Sequence, residues 1–204
     1  MKIIGTVEKI NKLTELQKQL ENLNKEFEAY KKSIRTAPKV GEKIEIADIE
    51  WIILDKTELG YLALANKAVK KCRFGKNNNW KDSEIRTYLE KEFVPKIEKE
   101  IGMELPSFHR DLWSLDGQTE YGTCEDKVSL ISFDEHRKYR KIIPNFGEYW
   151  WTITPDTTKG NGNENYTAVV CPSGIIIGSS YYDSEFGVRP FCIFPAKIFE
   201  SEEK

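Results

Sequence analysis

The sequence predicts an α+β fold: a domain of mixed, mainly antiparallel strands carried on a long N-terminal coiled-coil helix. Three observations carry that prediction. Apolar residues at alternating three- and four-residue steps run unbroken from Leu13 to Ile34, the period of a coiled coil. From Lys43 the pattern changes to short Ile-, Val- and aromatic-rich runs divided by turn residues, which reads as strands. Within that region Ile85, Leu89 and Phe93 recur every four residues and mark a helix beside the sheet. At 204 residues, 39% of them hydrophobic, the chain has apolar mass for one core plus an appendage. Residues 1–38 are therefore assigned to an oligomerisation helix and 39–204 to the domain.

In the helix, Leu13, Leu20, Phe27 and Ile34 take the first seam position and Leu16, Leu23 and Tyr30 the second, with Lys, Glu, Gln and Asn on the remaining faces. One narrow apolar stripe on so long a helix needs a cover, and pairing with copies of itself in a dimer or trimer is the expected one, with packing on its own domain the alternative. Residues 1–39 hold nine Lys+Arg against five Asp+Glu, so this part carries +4 and the remainder −6. The cations spread round the helix, and the whole chain has 31 Lys+Arg against 33 Asp+Glu. Direct nucleic-acid binding, which rests on clustered positive charge, is not expected. No apolar run reaches the roughly 18 residues that cross a bilayer, and the start turns polar too early for a signal peptide. A protein of the bacterial cytoplasm, off the membrane and with reduced thiols at Cys72, Cys124, Cys171 and Cys192, is expected.

Thr36-Ala37-Pro38 ends the helix, since proline disfavours a helical residue before it. Lys43–Asp55 reads as one strand, Lys56–Gly60 as a turn and Tyr61–Lys67 as its partner. Asp82 or Ser83 caps the helix that runs to Pro95 and resumes beyond it. Residues 105–123, broken by Gly and Pro, read as a long surface loop. Strands follow at 128–132, 149–154, 166–171, 174–178 and 187–194, with a short helix at 133–140. The Cys171-Pro172-Ser173-Gly174 turn makes 166–178 a hairpin. The insertion between Thr154 and Tyr166, rich in Gly and Asn, is expected to be exposed.

The usual catalytic signatures are absent from the sequence. His136, beside Asp134 and Glu135, reads as a solvated imidazole, and His109 as a loop residue that a cleft could use as a base. Asp156, Asn161, Asn163, Glu164 and Asn165 gather oxygen donors in one loop but lack the acidic density of a strong calcium site. No metal, cofactor or catalytic residue is assigned. Cys171 and Cys192 read as small core residues. Trp150 and Trp151 are adjacent in a strand and face opposite sides, so either a two-layer core covers both or one is displayed; Tyr181 and Tyr182 pose the same choice. The residues assigned to partner binding are Trp113, Trp150, Trp151, Asn161, Asn163, Tyr166, Tyr181 and Tyr182. Arg86 and Arg189 are assigned structural roles, each needing a partner such as Asp55, Asp82 or Glu84.

The order Trp51-Ile52-Ile53-Leu54-Asp55, Trp80 to Leu89 with Ser83 and Arg86, Asp126 to Ser132, Trp150-Trp151-Thr152-Ile153-Thr154-Pro155 and Gly187-Val188-Arg189-Pro190 resembles an uncharacterised domain family common in Firmicutes, their phages and prophages. Its members read W-x-I-L-D, W-x-x-S-x-I-R-x-W-L, D-x-V-x-L-L-S, W-W-L-R-S-P and G-V-R-P-A-L, and the match runs from about Val40 to Pro195. This chain departs at Thr152-Ile153-Thr154, losing the family's arginine, and at Phe191-Cys192. The resemblance implies a C-type-lectin-like fold, related to phage receptor-binding domains and formylglycine-generating enzymes, and it brings no catalysis.

The expected function is a non-enzymatic protein-binding module of phage or mobile-element origin. It would hold a partner with loops 105–123 and 155–165, and an inhibitor of a host defence system such as CRISPR fits that description. The alternatives are a glycan-binding virion or tail component and a hydrolase whose cleft is lined by His109, Asp111 and Asp116.

Overall fold

The computed structural model describes residues 2–33, 37–145, 147–162, 164–181 and 184–199, with the side chains of 2–8 and 28–33 left aside. The chain divides into two compact units, one containing the N-terminal helix and the other spanning Pro38–Ala196. Helix α1 (Lys2–Ser33) covers most of the segment that carries the expected heptad. Leu13, Leu16, Leu20, Leu23 and Phe27 are 53–62% exposed. Tyr30's side chain, Ile34, Asn163 and Tyr182 lie outside the described residues. No helix among the described residues is long and apolar enough to cross a membrane.

The second unit is a mixed α+β domain built on two five-stranded sheets and a two-stranded ribbon. The first sheet contains β1 (Lys43–Ile46), β2 (Ile49–Thr57), β3 (Gly60–Ala65), β12 (Phe191–Phe194) and β7 (Val128–Ser129), in that spatial order. The second contains β10 (Ile176–Ser180), β9 (Tyr166–Val170), β8 (Trp150–Pro155), β11 (Phe186–Val188) and β4 (Lys70–Cys72). All pairs are antiparallel except β8 with β11. Strands β5 (Phe108–Asp111) and β6 (Thr123–Asp126) form the ribbon, which gives order to both ends of the stretch expected as one loop.

One core lies between the sheets. Ile52, Leu54, Leu62, Leu64, Phe191 and Ile193 of the first sheet meet Trp150 and Val170 of the second, with Ile131, Tyr139 and Ile143. The opposite side of β2 carries Trp51, edge-on to Phe194 at 4.9 Å and 6.2 Å from Phe93 of the helical segment. Because both its faces are covered, Trp51–Leu54 are all buried and the polar-apolar alternation of a half-exposed strand is lost. The same holds for β8. Trp150 enters the inter-sheet core, while Trp151 packs on Phe74 at 5.6 Å and Phe186 at 5.0 Å and donates its indole N–H to Cys72 O at 2.9 Å. Both rings are buried, 2% and 0% exposed. The two-layer core takes them both, and neither belongs to a recognition surface as assigned.

Three boundaries differ from the sequence reading. Lys43–Asp55 is a hairpin rather than one strand: Ala47 and Asp48, at φ 57° and 60°, form a two-residue left-handed turn, the twist that suits a tight hairpin. Trp51 Nε1 donates across it to Ile46 O at 3.2 Å. The helix does not stop at Pro95. Ser83 caps α2 (Glu84–Tyr88) through the Ile85 N–H, a π-helical turn follows over Leu89–Phe93, and α3 (Val94–Ile101) continues through Pro95. Proline lacks an N–H and crowds the carbonyl four residues back, and the wider turn, closed by Val94 N–H to Leu89 O, relieves this. Finally, 187–194 is two strands on two sheets. Pro190 cannot continue a ladder, so the chain crosses from β11 to β12 at Arg189-Pro190. At the start of β3, Gly60 has φ 139°, and a Cβ there would sit 2.1 Å from Phe194 O, so only glycine admits β12 alongside.

Arg189, fully buried at the crossing, donates Nε–H to Ala65 O at 2.9 Å and stacks on Trp150 at 4.4 Å. Burial pushes its pKa down to about 9. The acid partners suggested for it are engaged elsewhere in part: Asp55 accepts from Tyr139 and Lys138, and Asp82 from Asn77. Arg86 does find a carboxylate, with Nε 2.8 Å from Asp126 Oδ1, whose other oxygen takes the Trp80 indole N–H at 2.7 Å.

Helix α4 (Phe133–Lys138) buries His136, 4% exposed and edge-on to Trp150 at 5.7 Å. The solvated reading of this imidazole is corrected, because its position on α4 faces the core. Burial, with Arg140 and Arg189 nearby, lowers its pKa from 6.5 to about 4. It is neutral when folded and gains a proton on unfolding below its ordinary pKa, so stability is full above pH ~6.5 and falls toward pH ~4. Allowing for residual screening at the ring, the loss is on the order of 2 kcal/mol. Urea melts of wild type and His136→Phe across that range check it: the acid slope attributable to residue 136 disappears in the variant.

Candidate functional site

Period-two alternation along β5 sets up the site. Phe108 and Arg110 point inward; His109 and Asp111 point outward. The register places Glu125 of β6 opposite His109. The imidazole is consequently held on both nitrogens, Nδ1 at 3.1 Å from Glu125 and Nε2 at 3.2 Å from Asp111. These hydrogen bonds, Glu125 first, raise its pKa above 6.5.

Beneath, Arg110 is 3% exposed and pairs in a fork with Glu135, Nη1 to Oε1 at 2.5 Å and Nη2 to Oε2 at 2.6 Å, with Nη2 also on Leu130 O. Its guanidinium lies 5.2 Å from the rings of both Phe108 and Phe191. Burial pushes the Glu135 carboxyl up, but the charge and hydrogen bonds of Arg110 outweigh this and hold it below its ordinary value. Glu135 also accepts from the Ser132 N–H while Ser132 caps Glu135, a capping box that fixes the start of α4. Above this floor opens a cleft of about 480 Å³, lined by His109, Asp111, Trp113, Phe133, Asp134 and Arg137 among others.

The two long polar segments that the sequence marks are locked to each other. Asp116 takes the Ser114 hydroxyl on one oxygen and, on the other, the Thr157 hydroxyl at 2.6 Å and Asn161 Nδ2 at 3.3 Å. Those bonds, Ser114 first, keep its carboxyl below the usual range. Glu120 accepts from the Gly160 N–H at 2.6 Å, and the Leu115 N–H reaches Pro155 O at 2.9 Å. At the base, buried Asn78 gives Nδ2 to Thr157 O at 2.8 Å and Tyr166 O at 2.9 Å and receives the Tyr121 hydroxyl at 2.7 Å. Thr157 and Thr158 are buried, so the insertion is not wholly exposed as expected: its start is drawn inward by these bonds. Asn78→Leu removes a donor from Thr157 O and the acceptor of the Tyr121 hydroxyl, while Tyr166 O keeps the Asp156 N–H, and an unmet buried polar group costs about 1–3 kcal/mol. We expect a loss of roughly 3 kcal/mol in urea melts, with faster amide exchange over 157–166.

The assigned partner-binding residues separate accordingly. Trp113 is 55% exposed on the cleft; Asn161 is exposed in the locked loop, and Tyr166 is 43% exposed. Tyr181 is half-buried. Sequence reasoning missed Asn78, which reads as one of three loop asparagines, and the Arg110–Glu135 pair. The Phe-His-Arg-Asp alternation and the Ser132-x-x-Glu135 capping box were the available signals for the latter. Burial raises the Cys124 thiol to about 11, so it is not a nucleophile at neutral pH. Among the described residues no three His, Cys, Asp or Glu side chains are placed to hold a metal ion.

A larger groove of about 700 Å³ runs beside α3, lined by Lys67, Tyr88, Glu92 and Phe93. None of the large exposed apolar side chains among the described residues lines it. Together these features define a two-sheet α+β domain with a tryptophan-bearing cleft beside a hydrogen-bonded loop pair. Residues 50–196 match a family model described as a domain of unknown function (DUF6273), and the chain belongs to that family. No curated protein and no solved structure matches the chain significantly.

Proposed function

We propose that the chain is a non-enzymatic binding module that contacts a partner protein at the Trp113 cleft and is made multivalent by α1. The observation that carries this reading is the contrast among tryptophans. Trp51, Trp80, Trp150 and Trp151 are 0–2% exposed, and Trp113 is 55% exposed. A large aromatic displayed on a scaffold already ordered loses little entropy on binding, which is how recognition hot spots are built. Catalysis is disfavoured by the same geometry. Both nitrogens of His109 are engaged by carboxylates, which favours the protonated imidazolium, the form that cannot act as a general base, and Asp116 is engaged in holding the loops.

The lectin-like reading belongs to this proposal, supported by the way β12, just after the Gly187-Val188-Arg189-Pro190 crossing, inserts between β3 and β7 and closes the first sheet. A role in the bacterial cytoplasm against a host defence system follows from the motif resemblance to phage and mobile-element proteins. A photo-cross-linking amino acid at position 113 of the full chain, compared with one at Leu59 (50% exposed in the β2–β3 turn), tests the site in bacterial lysate. We expect one protein adduct from position 113, competed by unmodified chain, and none from 59. Equal labelling at both positions, or none, contradicts the reading, and an adduct removed by glycosidases replaces it with glycan binding.

A further inference from the structure

The charges of the cleft specify what part of a partner it accepts, given the binding reading above. On its floor, Arg110 is matched by Glu135. On α4, Arg137 is matched by Asp134 at 2.7 Å. On the ribbon, one imidazole is shared by two carboxylates, Asp111 and Glu125. The lining itself sets His109, Arg110 and Arg137 against Asp111, Asp134 and Glu135, so it is balanced with His109 protonated and one unit negative with His109 neutral; Glu125, outside the lining, adds a carboxylate on the same imidazole, on the Asp111 side where the Trp113 ring lines the cleft. The setting reinforces this local excess, because residues 40–204 carry −6.

An exposed indole face attracts a cation through its quadrupole, and a carboxylate beside it supplies the counter-charge. Arginine fits better than lysine. Its guanidinium is planar, weakly hydrated and able both to stack on an aromatic ring and to fork onto a carboxylate. The molecule already uses this arrangement internally, where Arg110 packs on Phe108 and Phe191 while forking onto Glu135. We propose that the cleft seats an arginine side chain of the partner protein, its guanidinium stacked on the Trp113 indole and paired with the Asp111 carboxylate. His109 competes for that carboxylate. The groups facing it are Asp111 on its own strand and Glu125 on the paired strand, with Asp134 and Arg137 of α4 across the cleft. Deprotonating it removes the competitor and adds one unit of negative charge, so arginine binding strengthens as pH rises through the imidazole's titration.

Trp113 is its own reporter, since the other four tryptophans are buried. With the full chain, quenching of the exposed fluorescence by caesium and by iodide, each divided by that ion's quenching of free N-acetyltryptophanamide, should favour caesium, because the cation is drawn to the cleft. N-acetylarginine amide should give a saturable emission change that N-acetylglutamate amide does not. Asp111→Asn, a change at an exposed side chain, should weaken this binding about threefold, and affinity at pH ~8.5 should exceed that at pH ~6. Normalised iodide quenching at least equal to that by caesium, saturation by the glutamate derivative, or no saturation by the arginine derivative overturns the assignment. If position 113 still cross-links a protein in that case, the binding reading stands and only the arginine seat falls.

Discussion

Glu135→Ala lowers the unfolding free energy by about 3–5 kcal/mol, the cost of leaving a buried charge without its partner. Arg110 is 3% exposed and packed over the touching rings of Phe108 and Phe191, so it cannot turn out to water without disturbing the core at Phe191. Loss of the Ser132–Glu135 capping box adds to the damage at the start of α4. A buried pair is not itself a large net gain, because desolvation offsets most of its attraction. The double variant Arg110→Met, Glu135→Leu should therefore recover much of the stability that either single change loses. Equilibrium urea unfolding measures all three; a Glu135→Ala loss under about 1 kcal/mol would show that the pair behaves as an exposed one.

Leu20→Asp should reduce the solution mass from a multiple of 23.7 kDa to 23.7 kDa without unfolding the domain. Leu20 is 59% exposed in the single chain, so a carboxylate there meets water unless another helix covers it. In a seam formed with Leu13, Leu16, Leu23 and Phe27 of further copies, the same carboxylate is buried against apolar side chains and the association collapses. Light scattering gives the mass, and the urea midpoint reports the domain, which should be unchanged. A wild-type mass of one chain would remove the helix from any multivalent role.

Elements set by local pattern were readable. The helix of α1, the Ser83 cap, the 166–178 hairpin and the stripe of Ile85, Leu89 and Phe93 depend on residues close in sequence, and each is present. What could not be read depended on contacts from far along the chain. The Ala47-Asp48 turn carries no glycine or asparagine, and it follows from pairing Ile46 with Ile49 under Trp51. Continuation through Pro95 needs the π turn, which packing of Leu89 and Phe93 imposes. His136 looks polar among Asp134, Glu135 and Arg137, yet a six-residue helix has one inward face and His136 occupies it. In the site, the two polar loops were recognisable as functional candidates from composition, whereas their joining through Asn78 and Asp116 spans 43 and 41 residues of sequence, respectively, and has no local signature. Trp113 was identifiable as a candidate but not as the exposed member of five; that depended on both faces of β8 being covered.

The central claim is that recognition occurs at the Trp113 cleft and its locked loops. Hydrogen exchange of the full chain, free and bound to the protein captured through position 113, tests it most directly. The account predicts added protection over 109–117 and 157–161, with none at the outer strand β10 or at the groove beside Lys67 and Tyr88. Protection confined to either of those two surfaces, with the cleft unchanged, would contradict it.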